Sequence, residues 1–309
     1  LGKSIKQRIV TKQKNDNNKM AFRFRSLTPL FMGGADGKSP ELRIPSVKGL
    51  LRYWWRALHG HWQVDTVRER EGRIFGTQEY QSPLFMHISH KSRQQPKPHK
   101  PVPHNEEFKL PALPEGTEFT IECSLFTDAI TKEALKSLFI VATTLGGFGK
   151  RMRRGMGSVA LTHIDGKPFS MPVDGFMEAL LEHINTLNDF YSMSDGDIAF
   201  KHIGSKGYFP WIDRIEAGEP VQNLQGFLKH VSNTTSAMLN KYKQDYEAAL
   251  GHATGGRFAS PVVVSLAQAR DNQYIPLATT LNTLSNRKSR TFPMDIQKEF
   301  IEQVLSKDQ

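Results

Sequence analysis

The hydrophobic pattern of the first half of the chain predicts alternating strands and helices. Apolar and basic residues alternate over Ala21–Leu27, as in a half-buried strand. Helices are predicted over Val47–His59 and from a cap at Asp128 or Thr131 to about Thr144. Further strands are predicted over Leu84–Ser89, Phe119–Phe126 and Ser158–Ile164. The resulting β-α-β-β-α-β order is that of a ferredoxin-like domain of the kind found among RNA-recognition folds.

The pattern of the second half is weaker but indicates the same α+β class. We expect helices at Val173–Leu187, within Asn233–Leu250 and at about Met294–Leu305, and strands at Pro261–Leu266 and Tyr274–Leu277. A second domain of the same kind fits this pattern, although periodicity alone does not prove a repeat.

Two segments have little periodic pattern. Leu1–Lys19 is polar and basic, and we interpret it either as a flexible natural arm or as the remnant of a tag or linker. Ser92–Pro114 is polar and rich in proline, which predicts an extended or mobile insertion.

The distribution of charge along the chain indicates the kind of partner that the protein binds. The 309 residues carry a net charge of +10, and residues 1–165 alone have 27 basic and 15 acidic side chains. This basic half predicts a polyanionic partner. The single cysteine, Cys123, excludes an internal disulfide and a cysteine-based zinc site, and the apolar stretches are too short to cross a bilayer. These observations predict a cytoplasmic protein without a membrane partner.

The helix predicted at Val47–His59 has two different faces. At 100° per residue, Val47, Leu51, Trp54 and Leu58 form an apolar stripe, and Leu50 extends it. The adjacent face combines cations with aromatic rings, as phosphates and unstacked bases require, and it carries Lys48, Arg52, Trp55, Arg56 and His59. This face predicts single-stranded RNA binding. The alternative is that Trp55 covers the edge of the core and that the cations are merely solvated.

A glycine-rich basic loop follows the second predicted helix. Its residues, LGGFGKRMRRGMGSV, place Gly146, Gly147, Gly149, Gly155 and Gly157 around Lys150, Arg151, Arg153 and Arg154. Glycines allow backbone N–H groups to approach a phosphate, and the cations neutralise its charge. The loop lacks the GxxxxGK[ST] pattern, and the G-x-G-x-x-A match at Gly155–Ala160 leads into a strand, which argues against nucleotide binding of either common kind.

Three segments resemble one known family. The segment LTPLFMGGADGKSPELRIPSVKGLLRYWWRALHG (Leu27–Gly60) resembles the opening of the Cmr-one family of RAMP-superfamily proteins, subunits of the type III-B CRISPR effector complex. The glycine-rich loop resembles that of the superfamily, and GRFASP (Gly256–Pro261) resembles the stretch before a late strand of the family. The resemblance implies two tandem ferredoxin-like domains, at residues 20–168 and 169–309.

The resemblance also implies a function. It implies a non-catalytic RNA-binding subunit that acts near the 3′ end of a CRISPR guide RNA, binds target single-stranded RNA and contacts other RAMP subunits of the Cmr complex, without a cofactor. The positions that match RNA-binding positions are Gly33, Gly34, Lys48, Arg52, Trp55, Arg56, Arg257 and the loop residues Gly146, Gly147, Gly149, Lys150, Arg151, Arg153, Arg154, Gly155 and Gly157.

Other functions remain open from sequence alone. Asp36, His59 and His61 lie where a metal-independent endoribonuclease would need an acid or a base. His87, His90, His99 and His104 have loose metal-ligand spacing and no clustered acid, so no metal site is expected. Serine hydrolase chemistry lacks a GxSxG motif. A purely structural interaction protein would leave the glycine-rich basic loop unexplained.

Overall fold

Two five-stranded antiparallel sheets form the framework of the protein. The computed structural model describes residues 18–36, 39–90, 94–201, 209–253, 256–283 and 292–306. The strands are β1 (Lys19–Ser26), β2 (Leu84–His90), β3 (Lys97–His99), β4 (Leu110–Ala112), β5 (Glu118–Leu125), β6 (Val159–Ile164), β7 (Lys167–Pro168), β8 (Tyr191–Ser194), β9 (Asp197–Phe200), β10 (Ile212–Ala217), β11 (Val262–Gln268) and β12 (Tyr274–Leu281). The helices are α1 (Ile44–Leu58), α2 (Val64–Phe75), α3 (Lys132–Leu145), α4 (Phe176–Leu187), α5 (Leu224–Tyr242), α6 (Gln244–Leu250) and α7 (Pro293–Leu305).

The first sheet has the strand order β2-β5-β1-β6-β7. Its central strand β1 alternates as predicted, because Phe22 and Phe24 are fully buried while Arg23 is exposed. Phe22 stacks on Phe139 of α3 with ring centroids 4.1 Å apart, so the helix covers the apolar face of the sheet. Thr131 begins α3 as the predicted cap, since its side chain accepts a hydrogen bond from the N–H of Ala134. The β-α-β-β-α-β core predicted from the pattern is confirmed.

The second sheet has the strand order β11-β12-β10-β9-β8. Strand β10, the helices α5 and α6, strands β11 and β12, and helix α7 follow one another as in the first half. In the first sheet, β6 pairs with β1. The equivalent position beside β10 is occupied by β9, which belongs to a hairpin that precedes β10. The α+β class with two antiparallel sheets is confirmed, and the second sheet completes itself with a strand from an earlier part of the chain.

The pattern missed several elements. Helix α2 was not predicted, because its sequence VDTVREREGRIF is dominated by charged residues. The insertion Ser92–Pro114, predicted as a loop, contains the β3–β4 hairpin. The helix predicted within Asn233–Leu250 is two helices, α5 and α6, separated at Lys243, which has a φ of +49°. The short strands β8, β9 and β10 also escaped prediction.

The two sheets meet through the glycine-rich loop. Gly155 N–H donates to the carbonyl of Val264 on β11 over 2.9 Å, and Val264 N–H donates to the carbonyl of Arg153 over 3.2 Å. One cluster of buried side chains contains residues of both halves, from Met20 to Leu281. The predicted division at 168/169 therefore stays a prediction, and most of Leu1–Lys19 lies outside the described residues. Within the described part of the chain, every helix is too short or too polar to span a bilayer.

Candidate nucleic-acid interface

The cationic face of α1 is partly covered by α2. The carboxylate of Glu71 on α2 is buried and accepts hydrogen bonds from Arg52 Nε and Arg56 Nη1, each over 2.5 Å. The two arginine side chains keep about a third of their surface exposed, 35% and 36%. Both guanidinium groups are therefore anchored within the protein and still reach the surface. Glu71 has no signal in the sequence, since it lies among five other charged residues of α2.

Trp55 is not the exposed stacking platform that the helical wheel predicted. Its side chain is buried, and its ring lies 5.7 Å from that of Trp62 and 4.4 Å from that of His59. The wheel placed Trp55 at the boundary between the two faces of α1, and Trp62, in the turn that leads into α2, packs on that boundary. The prediction of an accessible indole is wrong, and the alternative of a core-edge tryptophan is correct.

His59 is buried beside Trp55. Its Nδ1 lies 2.6 Å from the backbone carbonyl of Trp55, and its ring stacks on Trp62 with centroids 4.0 Å apart. The pKa of His59 is lowered to about 4, mainly by burial and to a smaller extent by the nearby His61 and Arg70, while the hydrogen bond to the Trp55 carbonyl opposes this shift. The imidazole is therefore neutral at physiological pH and enclosed, which removes it from contact with a nucleic acid.

Acid should destabilise the protein through His59. The unfolded chain binds this proton with the ordinary pKa of 6.5 and the folded protein with a pKa of about 4, so stability present above pH 6.5 is lost as the pH falls toward 4. Between pH 7.5 and 5 the loss from this group is about 2 kcal/mol. Urea unfolding at both pH values should show that His59→Gln loses less stability than the parent by this amount. If His59→Gln loses as much stability between pH 7.5 and 5 as the parent does, the prediction is contradicted. His87→Gln, at an exposed position on β2, controls for the substitution itself.

The glycines of the loop face the protein's own backbone and side chains. A Cβ on Gly149 would lie 2.5 Å from the carbonyl oxygen of Phe31, and one on Gly157 would lie 2.1 Å from that of Phe148. Gly146, Gly147 and Gly155 are crowded by Trp54, Gly157 and Leu228 in the same way. The N–H groups of Phe148, Lys150, Gly155 and Gly157 donate to protein carbonyls. The expected phosphate cradle is therefore wrong for these groups, since the glycines permit close packing of the loop.

Two of the four loop cations hold the loop in place. Arg154 donates to the carbonyls of Arg153 and Val262, at 2.7 and 3.0 Å, and to Ser260 Oγ at 3.1 Å. Its guanidinium also lies over the ring of Phe300, 4.9 Å from the centroid. Arg153 donates to the carbonyl of Ser260 and, over 3.0 Å, to the hydroxyl of Tyr53 on α1. Both side chains are half-buried and serve the fold.

The remaining predicted cations are accessible. Lys150, Arg151 and Arg257 are exposed, and Lys48 is half-buried on α1. Arg151 Nε also donates to the carbonyl of Pro101 over 3.2 Å, and partial burial of the guanidinium lowers its pKa. Partial burial lowers the pKa of Lys48, and the neighbouring Arg52 adds a smaller effect in the same direction.

The glycines before α1 form part of a turn. Gly33 is exposed and forms an isolated β-bridge with Pro40, and the N–H of the buried Gly34 donates to the carbonyl of Ser39 over 2.7 Å. Neither contact places a cation, so these two glycines shape the loop that leads into α1.

The residues considered for other chemistry are placed as follows. Asp36 accepts hydrogen bonds from the N–H and hydroxyl of Ser39, and His61 stacks on Phe190 with centroids 3.9 Å apart. Burial raises the pKa of the Cys123 thiol to about 12. No group of three or more potential metal ligands occurs among the described residues.

Comparison with known proteins shows what the chain is similar to. The sequence profile of the RAMP superfamily matches residues 23–160. Two proteins of Pyrococcus furiosus are similar: CRISPR system Cmr subunit Cmr1-2 is 29% identical over 175 residues, spanning 45% of this chain and 92% of the relative. Cmr subunit Cmr1-1 is 22% identical over 233 residues, spanning 67% of this chain and 68% of the relative.

Solved structures show the same fold. The crystal structure of apo Cmr1 from Pyrococcus furiosus has a TM-score of 0.63 and 16% identity, covering 93% of this chain and 95% of that one. A cryo-EM structure of the type III-B Cmr-beta complex bound to cognate target RNA matches with a TM-score of 0.57 and 10% identity, covering 93% and 99%. The first half of the chain is therefore similar to the RAMP superfamily. The relatives and the fold that it shares are those of Cmr1 proteins.

Proposed function

We propose that this chain is a non-catalytic, RNA-binding subunit of a type III-B CRISPR effector complex. Its partners in this proposal are the 3′ region of a guide RNA, target single-stranded RNA and other RAMP subunits. The names of its two Pyrococcus furiosus relatives and the Cmr-beta assembly that shares its fold support the assignment to the complex. Pairing with the guide supplies sequence specificity, while this subunit binds phosphates with little regard to sequence.

The contacts of Arg153 carry the proposal. This one side chain bonds Tyr53 of α1 and Ser260 of the segment before β11, so it joins the helix, the glycine-rich loop and the segment containing Arg257. Each of the three segments contributes accessible cations: Lys48, Lys150, Arg151 and Arg257, with the anchored Arg52 and Arg56 beside them. We name these six residues the cationic surface. Cations from three separate segments on neighbouring elements suit the backbone of an RNA strand.

Removal of the four accessible cations should weaken RNA binding strongly. The variant K48Q/K150Q/R151Q/R257Q should bind a single-stranded RNA oligomer about tenfold or more weakly, and its salt dependence should flatten by about 0.7 for each lost phosphate contact. Fluorescence anisotropy across a salt series measures both quantities. The RNA recovered afterwards should be intact, since the proposed role is non-catalytic.

The matched control removes four exposed lysines from other segments, in the variant K167Q/K201Q/K243Q/K298Q. Both variants lose four positive charges, so equal losses of affinity would show that only net charge matters and would contradict the cationic surface. Cleavage that disappears in Asp36→Ala would replace the proposal with the endoribonuclease alternative.

A further inference from the structure

A cleft lies between the β3–β4 hairpin and the first turn of α5. Its volume is about 630 Å³, which falls within the range of small-molecule sites. One wall comes from the inserted hairpin, through Pro98, Lys100 and Pro103, and the other comes from Asn223–Lys229. Leu27, Pro29 and Met156 form the floor. The residues of the cationic surface do not line this cleft, although Arg151 Nε donates to the carbonyl of Pro101 beside it.

The charges of the cleft converge on one carboxylate. Lys100 forms an ion pair with Glu106, and Lys229 and Lys109 also lie close enough to stabilise the ionised form. Together these three lysines hold the pKa of Glu106 below its ordinary value. Glu115 and His99 complete the titratable groups that line the cleft. Lys100 therefore contacts one exposed carboxylate of the same chain, and Lys109 and Lys229 line the same cleft and add positive charge to it.

The apolar side chains on both sides of the cleft, which we call together the apolar wall, suit a flat apolar group. Pro98, Pro103, Leu224 and Leu228 border the cleft, and Met156 adds a polarisable side chain. The first turn of α5, a helix of 19 residues, ends at the same cavity and adds the positive end of its dipole. His99 Nε2 is buried at this wall without a hydrogen-bond partner. The cleft thus combines an anion-binding part with an apolar part.

We propose that this cleft binds a nucleotide, with its phosphate among Lys100, Lys109 and Lys229 and its base against the proline and leucine side chains. Glu106 occupies the phosphate position when no nucleotide is bound, so it is a competitor built into the inserted hairpin. The same chemistry suits a free mononucleotide and one unit of an RNA strand. The proposal does not depend on the cationic surface.

Titration of the full-length chain with adenosine 5′-monophosphate, followed by calorimetry, tests the site. Saturable binding is expected, and Lys229→Gln should weaken it about tenfold, since a hydrogen bond between charged groups is lost. Glu106→Gln should tighten binding several-fold, because the competing charge is removed. Lys243→Gln, which removes an exposed lysine at the other end of α5, should leave the affinity unchanged.

The other outcomes also decide the question. Adenosine without phosphate should bind far more weakly than the nucleotide. Inorganic phosphate that binds as tightly as the nucleotide would overturn the role of the apolar wall, and no saturable binding by either the parent or Glu106→Gln would overturn the site. If an RNA oligomer displaces the nucleotide, the ligand is one unit of an RNA strand. If the oligomer fails to displace it, the ligand is the free nucleotide.

One further variant separates this proposal from the previous one. The variant K48Q/K150Q/R257Q should retain nucleotide binding, because its three positions lie outside the cleft. Arg151 is kept in this variant, since its Nε donates to the carbonyl of Pro101, next to Lys100. Loss of nucleotide binding in that variant would overturn the separate site. Loss of RNA binding alone concerns only the cationic surface.

Discussion

Gly157→Ala should lower the free energy of unfolding by about 4 kcal/mol or more, a loss at the extreme of single substitutions. Gly157 has a φ of +74°, and an added Cβ would lie 2.1 Å from the carbonyl oxygen of Phe148 and 2.9 Å from its carbonyl carbon and nitrogen. The clash is with backbone, which no rotamer change can relieve. The same two residues are joined by a hydrogen bond from Phe148 N–H to the carbonyl of Gly157 over 2.9 Å, so the loop must open for the methyl group to fit.

Gly166→Ala is the matched control. Its φ of +76° is nearly the same, but a Cβ there meets nothing within 4 Å. Its cost should be the conformational part alone, about 1–2 kcal/mol. Thermal and urea unfolding of both variants measures the difference. Equal losses would show that the clash with Phe148 is absent and that the loop packs more loosely than described.

Arg154→Ala should lower the free energy of unfolding by about 2–4 kcal/mol. The guanidinium satisfies the carbonyls of Arg153 and Val262 and the hydroxyl of Ser260, and it covers the ring of Phe300. Its removal leaves these acceptors without their donor and opens the contact between the glycine-rich loop and the second sheet. Denaturant unfolding is the measurement.

Lys150→Ala is the control for Arg154. Both residues belong to the same loop, yet the Lys150 side chain is exposed, so its loss should change stability by no more than about 0.5 kcal/mol. RNA binding should follow the opposite order, with a larger effect at Lys150. Full stability in Arg154→Ala together with lost RNA affinity would contradict the structural role and restore the role that the sequence suggested.

Part of the candidate interface could be predicted because local chemistry sets it. Lys150 and Arg151 lie in a loop whose glycines prevent a regular element, and both are exposed. Arg153 and Arg154, which are equally basic and belong to the same motif, turn inward to backbone carbonyls of the β11 region. Nothing in the motif distinguishes the two pairs. Their partners lie more than 100 positions away along the chain, and only folding brings them together.

The fold shows the same division between local and distant causes. Strand β1 and helices α1 and α3 were predictable because their apolar side chains repeat with the period of the element and face one core. Helix α2 was not predictable, since its charged residues point in every direction of the helical wheel. The contact of α2 with α1 includes Glu71, a buried residue whose carboxylate is stabilised by Arg52 and Arg56 of α1.

By itself, the sequence determined the β-α-β-β-α-β order of the first half of the chain, the apolar stripe of α1 and a concentration of positive charge in that half, because each of these follows from residue type and spacing. The tertiary structure decided which charges are accessible. Trp62, in the turn before α2, packs on the buried Trp55, and Glu71 of α2 anchors Arg52 and Arg56. The segment that leads into the second sheet engages Arg153 and Arg154. Accessibility depends on what packs against a side chain, and the packing partner is set by the whole fold.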